Sequence, residues 1–226
     1  MSDNYKIKIT LDDYTLRKLH QTNQSLRAYK GVQGSVGGGF CTVWFTTTDL
    51  LKTVKVEWEE QYGGYADNQE LLPGIVIHTG NVENMNIGDL MTVQEDGTNE
   101  LTTNGSADHI NIRNGGTKEM TCGIGQKVND KLSPLCALPL FGKDLRDVMP
   151  SEKILLEFDY GIRPIGKVVE KVWTKSILIN FAKSKEKQVS VSYNINTGWD
   201  AQNAVWAKIS SDAIEIAKIL NEPVTR

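Results

Sequence analysis

The sequence predicts a mainly β fold, a single-domain β-sandwich over residues 1–226 with one short helix near each end. Apolar and polar residues alternate with a period of two in several stretches, of which TVKVEWEE (53–60) is the clearest. Such stretches recur roughly every 10 to 15 residues with Gly, Asn and Asp between them, as in sandwiches rather than βαβ units. No low-complexity linker divides the chain, so we expect one domain.

The N-terminal elements are a strand and a helix. YKIKITL (5–11) alternates apolar and polar residues and predicts a half-buried strand. The pair Asp12-Asp13 follows and is typical of a helix start, so a helix is expected over about residues 12–29. GVQGSVGGGF (31–40) predicts a mobile loop, and it lacks the spacing of a phosphate-binding loop.

The rest of the chain predicts strands separated by turns. SPLCALPLFG (133–142) contains two prolines and predicts a buried loop, and SSDAIEIAKILNEP predicts a terminal helix over about residues 210–220. The segments expected to contain strands are 41–48, 53–60, 71–79, 87–98, 98–116, 119–128, 153–160, 167–182 and 187–199.

Composition excludes some partners. The 226 residues carry a net charge of −3, which argues against nucleic acid and against simple electrostatic attraction to anionic lipid. No segment approaches the roughly 20 apolar residues of a membrane helix. The N-terminal MSDNYKIKIT has no apolar core of a signal peptide, so we expect synthesis in the cytosol of the producing cell.

The chemistry of a catalytic or metal site is not apparent. His20, His78 and His109 form no zinc-type pattern, and Glu59 and Glu60, adjacent in a strand, would point to opposite faces. No G-x-S-x-G motif occurs. We therefore expect no enzyme activity, no metal and no cofactor.

The three cysteines are Cys41, Cys122 and Cys136. An odd, small number of cysteines is typical of a reducing compartment, and buried free thiols are the favoured interpretation. A disulfide between Cys122 and Cys136 is the alternative.

Three tryptophans lie inside apolar strand patterns and are predicted to be core residues: Trp44, Trp58 and Trp173. The alternation Val54, Val56, Trp58 places Trp58 on the core face.

Three other aromatic residues lie beside glycines and are the candidate ligand- or membrane-binding residues. Tyr62 and Tyr65 flank Gly63-Gly64, which is expected to end the strand, so that at least one of the two is exposed. Trp199 follows a glycine in NTGWD and could likewise stack on a sugar ring or lie at the level of lipid headgroups.

Residues 81–116 are polar and rich in Thr, Asn and Gly. They are typical of solvated edge hairpins, and the alternative is a stem that rearranges into a membrane barrel.

Several stretches together resemble a small, sparsely characterised family of fungal and Gram-negative bacterial proteins that includes candidate insecticidal proteins. The resemblance lies in NYKIKITLDDYTL, TVWFTTT, VEWEEQYGGYAD, CGIGQ with SPLCALPLFG, PSEKILLEF and VSVSYNINTGW. It implies a defence protein that acts outside the producing cell, binds gut cells and damages their membrane. No catalytic residue is implied. KSKEKQ (183–188) is more charged than the family pattern, which leaves a different target range open.

Two functional classes follow. The first is a membrane-acting toxin with a cell receptor or glycan as partner, the membrane surface as a second partner after activation, and homo-oligomers on the membrane. The second is a lectin-like carbohydrate-binding module without lytic activity.

Overall fold

The computed structural model describes residues 4–34, 39–80, 82–129 and 131–223, which form a mainly β, sandwich-like fold. The helices are α1 (Asp13–Gln21) and α2 (Ile216–Leu220), with a 3₁₀ turn at Phe181–Lys183. The strands are β1 (Asn4–Leu11), β2 (Gln24–Gly34), β3 (Phe40–Thr42), β4 (Phe45–Thr47), β5 (Thr53–Asp67), β6 (Val82–Met85), β7 (Leu90–Val93), β8 (Asn99–Thr102), β9 (Ile110–Asn114), β10 (Met120–Val128), β11 (Lys131–Pro134), β12 (Cys136–Leu140), β13 (Leu145–Tyr160), β14 (Val168–Val169), β15 (Lys171–Val172), β16 (Ser176–Asn180), β17 (Gln188–Asn194), β18 (Gly198–Asp200), β19 (Ala207–Ser210), β20 (Ile214–Glu215) and β21 (Glu222–Pro223).

Two large sheets account for most of these strands. The first sheet has the order β14-β3-β12-β10-β5-β1-β17-β18, with β11 on β10 and β6 on β5. The second has the order β19-β16-β13-β9-β7-β8, and β2 pairs with β13, β4 and β21. The short strands β15 and β20 pair separately. The mainly β prediction is therefore confirmed.

The predicted first strand, β1, lies in the middle of the first sheet. It runs antiparallel to β5 and parallel to β17, so that Ile7 faces Val56 on one side and Val189 on the other. Ile7 and Ile9 are fully buried, while Lys8 on the opposite face is exposed. Burial along β1 thus alternates with a period of two. Its pairing with β17 brings N-terminal and C-terminal parts of the chain into one sheet.

Trp58 is buried, as the alternation predicts, with 3% of its surface exposed. Its ring stacks on Tyr5 at 5.3 Å between centroids and meets Trp44 at 5.5 Å and Phe181 at 5.3 Å edge-on. Stacked and edge-on pairs at such distances are favourable beyond the burial of their area. This aromatic cluster belongs to the main hydrophobic core.

The N-terminal helix is shorter than the predicted 12–29. Asp12 caps α1 by accepting a hydrogen bond from the Thr15 amide at 2.7 Å, but the helix ends at Gln21. Asn23 has φ of 51°, a left-handed conformation that stops a helix, and the chain then enters β2. Tertiary pairing with β13 overrides the helical spacing of the leucines.

The predicted loop at 31–40 and strand at 41–48 also differ from the structure. β2 continues to Gly34, and residues 35–38 lie outside the described residues. Gly31 is required here because a Cβ would lie 2.2 Å from the carbonyl oxygen of Leu220. After β3 in the first sheet the chain crosses to β4 in the second, so 41–48 is not one strand.

Two further segments correct the sequence interpretation. The proline-containing stretch 133–142 is largely strand, since β11 ends at Pro134 and β12 contains Pro139, which lies opposite Thr121 of β10. The predicted C-terminal helix at 210–220 is reduced to α2, since residues 214–215 pair with β15.

Gly63-Gly64 does not end the strand, since β5 continues to Asp67. A Cβ at Gly63 would lie 2.5 Å from Val82, and one at Gly64 would lie 2.3 Å from the sulfur of Met85. The glycines therefore leave room for side chains of the neighbouring strand β6 rather than forming a turn.

All three cysteines are free and buried, in agreement with the favoured interpretation. Cys136 lies opposite Cys41 in the β3–β12 pairing. Burial raises the pKa of each thiol, that of Cys136 to about 12, so these groups are inert thiols in the folded protein.

Candidate functional site

The three aromatic residues predicted to bind a ligand do not form a surface site. Tyr65 is fully buried and its hydroxyl donates a hydrogen bond to the Cys136 carbonyl. Tyr62 is half-buried against the core, so neither tyrosine has the exposure that was expected of at least one of them. Trp199 is 4% exposed, lies beside Phe158 and Tyr193, and donates from Nε1 to the Lys175 carbonyl at 3.1 Å.

The exposed tryptophan is Trp173, which was predicted to be a core residue. Its side chain is 68% exposed, and Ile162 and Tyr160 nearby in sequence are 66% and 67% exposed. Trp173 follows Val172 in β15, and Val172 is fully buried. β15 ends at Val172, so Trp173 lies outside the pairing with β20 and its side chain is left in solvent.

Residues 161–175, called here the crossover segment, connect β13 to β16 and contain β14, which pairs with β3 of the first sheet, and β15, which pairs with β20. Val169 and Val172 of this segment are buried in a second, smaller core with Tyr29 of β2 and Leu155 of β13. The same core contains Ile216 and Leu220 of α2. The apolar face of the segment therefore fixes which of its side chains point to solvent.

Glu157 of β13 holds the C-terminal end of the crossover segment in place. Its carboxylate is 1% exposed and accepts hydrogen bonds from the Tyr29 hydroxyl and the Thr174 hydroxyl, both at 2.6 Å. Burial and the neighbouring Glu157 raise the pKa of Tyr29 well above its usual value, so Tyr29 stays protonated. A charge-assisted bond to Thr174 holds the residue next to Trp173 in place.

Asp159 of β13 holds the N-terminal end of the crossover segment in place. Arg27, which is fully buried, forms an ion pair with Asp159 and donates to the carbonyls of Tyr160 at 2.6 Å and Gly161 at 3.0 Å. Arg163 of the segment contacts the same carboxylate at 3.2 Å. Buried charges of this kind are costly unless paired, and here the pairing fixes the chain on which Trp173 is displayed.

A cleft of about 280 Å³ lies beside Trp173. Its lining includes Pro73, Gly74, Arg163, Lys167, Lys171 and Trp173. The Lys171 amine lies 5.6 Å from the centre of the Trp173 ring, a cation–π distance. We call Arg163, Lys167, Lys171 and Trp173 the Trp173 patch; it combines the exposed apolar ring with three cations.

Sequence reasoning missed the Trp173 patch for a physical reason. In KVVEKVWTK the tryptophan lies in one short stretch with three valines, so an apolar strand pattern assigns it to the core. The structure divides this stretch into two two-residue strands with different partners, β3 and β20, and the period of two does not run through it. The one available signal is the basic residue on either side of Trp173.

A second unusual group is Lys30, which lies between the sheets. It is 5% exposed, donates to the Gln126 side chain, and its amine lies 5.6 Å from the Trp44 ring and 5.3 Å from the Trp58 ring. Burial lowers its pKa from the usual 10.5 to about 7, although the carboxylates of Glu60 and Glu152 act in the opposite direction.

Lys30 should make stability rise with pH between about 7 and 9. The unfolded chain keeps its proton up to about 10.5 whereas the folded chain loses it near 7, so the unfolded state binds more protons in this window. The slope is up to about 1.4 kcal/mol per pH unit. Above about pH 9 the buried cysteines reverse the trend, because unfolded thiols ionise and folded ones do not.

The Lys30→Met variant isolates this contribution, because methionine keeps an unbranched apolar stem without a charge. Urea unfolding at pH 6, 7, 8 and 9 should show that the advantage of Lys30→Met over the wild type is largest at pH 6 and shrinks toward pH 9. Parallel pH curves for the two proteins would show that the amine is not held neutral at the upper end of this range.

Two absences hold for the described part of the chain. None of its helices has the length and apolarity needed to cross a membrane. Nor do residues 4–34, 39–80, 82–129 and 131–223 bring together three His, Cys, Asp or Glu side chains that could hold a metal ion.

No protein-family model, curated protein or solved structure matches this chain. The interpretation of function therefore depends on the residues of the chain itself.

Proposed function

We propose that this protein is a defence protein of the insecticidal type that attaches to the membrane of a target cell through the Trp173 patch. The observation that carries the proposal is the 68% exposure of Trp173 in a chain whose other four tryptophans are buried or half-buried. A large aromatic side chain left in solvent beside cations is typical of an interaction surface.

The chemistry of the patch suits the interface between lipid and water. Tryptophan is favoured at the headgroup level because its ring is apolar and its N–H is polar. Lysine and arginine beside it keep their charges at the headgroups while their stems contact apolar surface. The contacts with Glu157 and Asp159 hold the segment in place before binding. Binding therefore does not have to order the segment, which reduces its entropic cost.

A lectin-like function is the second candidate, and a different cleft favours it. A space of about 370 Å³ on the first sheet is lined by polar side chains suited to sugar hydroxyls, namely Asn4, Lys55, Glu57, Glu59, Lys127 and Asn129. Trp58 adjoins this space but is only 3% exposed, so it offers little ring surface for stacking on a sugar. We therefore place this function second.

Replacing Trp173 with alanine should weaken binding to phospholipid vesicles by about 10- to 100-fold. Burial of a large apolar side chain contributes about 1.5–3 kcal/mol, which corresponds to this factor. Vesicle co-sedimentation measures the partition, and dye release from the same vesicles measures permeabilisation.

The matched control is Trp206→Ala, which removes a tryptophan that is half-buried outside the patch. At a temperature where both variants are folded, only Trp173→Ala should lose vesicle binding. Binding to a glycan array with no vesicle binding by the wild type would favour the lectin-like function instead.

We further propose that permeabilisation, where it follows attachment, uses residues 81–116. These residues are divided between the sheets, since β6 pairs with β5 in the first and β7, β8 and β9 belong to the second. β8 lies at the edge of its sheet, while Met91, Ile110 and Ile112 are fully buried. A membrane stem from this segment therefore requires release of core residues, and so follows binding rather than preceding it.

A further inference from the structure

We propose that the cleft beside Trp173 binds the phosphate of an anionic phospholipid headgroup. This inference rests on the proposed function and deepens it, because it assigns the lipid class that the Trp173 patch selects. The cations of the patch are proposed to bind the phosphate, whereas membrane attachment itself is attributed to Trp173.

The positive charge at this cleft is local and contrasts with the whole chain. Arg163, Lys167 and Lys171 all line it, although the net charge of the protein is −3. Glu170 is the one acid in its described lining. A concave surface with an excess of one charge concentrates ligands of the opposite charge.

Arg163 retains donors for a ligand. Its contact with Asp159 at 3.2 Å goes to an oxygen that Arg27 already pairs with from the protein interior. Asp159 also pairs with Arg27, so Arg163 can keep this contact while its remaining N–H groups donate to a second anion. The guanidinium carries five N–H groups in a planar fork that matches two oxygens of a phosphate.

The charge of Lys171 is only weakly compensated. Its amine lies 3.9 Å from the Glu215 carboxylate, whereas Lys218 lies 2.5 Å from the same carboxylate. Lys218 is also the main cause of the lowered pKa of Glu215. The Lys171 amine thus lies beside the Trp173 ring with only a distant carboxylate partner, and it can interact with an anion in the cleft.

Lys167 completes the set of cations and is fixed by its backbone. Its N–H donates to the Pro164 carbonyl at 3.2 Å, and its carbonyl accepts from the Val43 amide at 2.9 Å. It forms no ion pair with any residue that the structure describes. A lysine held at the rim of a cleft without a carboxylate partner is suited to a phosphate oxygen.

The indole at the same cleft indicates a lipid source for the phosphate. A soluble phosphate would need only the cations, whereas Trp173 adds exposed apolar surface that a phosphate ion cannot cover. In a bilayer the phosphate lies at the depth where tryptophan is favoured, so one molecule satisfies both features.

The test compares the wild type with Lys167→Gln/Lys171→Gln, which keeps side chains of similar size and removes two charges. The control is Lys8→Gln/Lys208→Gln, which removes two exposed charges from β1 and β19, outside the cleft lining. Binding is measured on phosphatidylcholine vesicles containing phosphatidic acid, and on vesicles containing cholesteryl hemisuccinate at the same surface charge. Glycerol phosphate in solution serves as the lipid-free probe.

We expect the wild type to prefer the phosphatidic acid vesicles. The Lys167→Gln/Lys171→Gln variant should lose about 25-fold in affinity for them, since each basic residue near an anionic surface accounts for roughly a fivefold change. The control variant should stay within about threefold of the wild type. Equal binding to the two kinds of anionic vesicle, or an unchanged double variant, would overturn the inference.

Two other outcomes are separated by the same series. If Trp173→Ala loses binding while the double lysine variant does not, the phosphate site is wrong and the attachment surface stands. If the wild type binds no vesicle, both fail. Tight binding of glycerol phosphate, undiminished by Trp173→Ala, would assign the cleft to a soluble phosphate and overturn the lipid source.

Discussion

Replacing Trp58 with alanine should lower the free energy of unfolding by about 3–5 kcal/mol, the usual cost of removing a buried tryptophan. The ring is 3% exposed and contacts Tyr5, Trp44 and Phe181, which come from three other parts of the chain. Its loss leaves a cavity between the sheets that these neighbours cannot fill without leaving their rotamers. Urea unfolding followed by circular dichroism measures the change.

Trp173→Ala is the matched control for stability, because it deletes the same side chain from a solvent-exposed position. Its unfolding free energy should stay within about 0.5 kcal/mol of the wild type. A Trp58→Ala variant as stable as the wild type would place Trp58 outside the core and remove the basis of the sheet assignment.

A disulfide between β7 and β9 should abolish dye release while leaving vesicle binding intact. Thr92 and Arg113 lie opposite each other in the parallel β7–β9 pairing, and neither is fully buried. Neighbouring strands are about 4.8 Å apart, a Cα separation that a disulfide spans. The variant is Thr92→Cys/Arg113→Cys.

The reason lies in strand direction. β7 and β9 are parallel in the folded protein, whereas a membrane hairpin made from residues 81–116 must be antiparallel. A bond between positions 92 and 113 holds the parallel register and so forbids an extended hairpin. Reduction should restore dye release, and the two single-cysteine variants should release dye with or without reductant. Full release by the oxidised protein would exclude residues 81–116 as the stem.

The sequence was informative where the period of two was regular. In β1 and in the first half of β5 the alternation identified both the strand and its buried face, because each strand has one face on the core. The burial of Trp58 followed directly from it.

The same reasoning failed where both faces of a strand are covered. Tyr65 points away from the main core, yet it is buried in a small cluster with Ile77 and Val168. No local pattern shows that distant parts of the chain cover this face, so at least one of the two tyrosines beside Gly63-Gly64 was expected to be exposed.

Buried charges were the other feature that the sequence could not show. Arg27 and Lys30 lie in β2, which is buried over most of its length, whereas the helix predicted over about residues 12–29 included Arg27. Their partners Asp159 and Gln126 are far away in sequence. Only the fold brings these groups together, so neither the anchoring of the crossover segment nor the lysine between the sheets could be predicted.

Quenching of tryptophan fluorescence by brominated lipids tests the attachment surface most directly. Trp44, Trp58 and Trp199 are buried and Trp206 is half-buried, so bromine in the bilayer should quench mainly Trp173. The Trp173→Phe variant keeps an aromatic ring at this position and removes its indole emission. We predict that vesicle-bound wild type is quenched, whereas Trp173→Phe binds and is not. Equal quenching of the two bound proteins, or none in the wild type, would contradict attachment through Trp173.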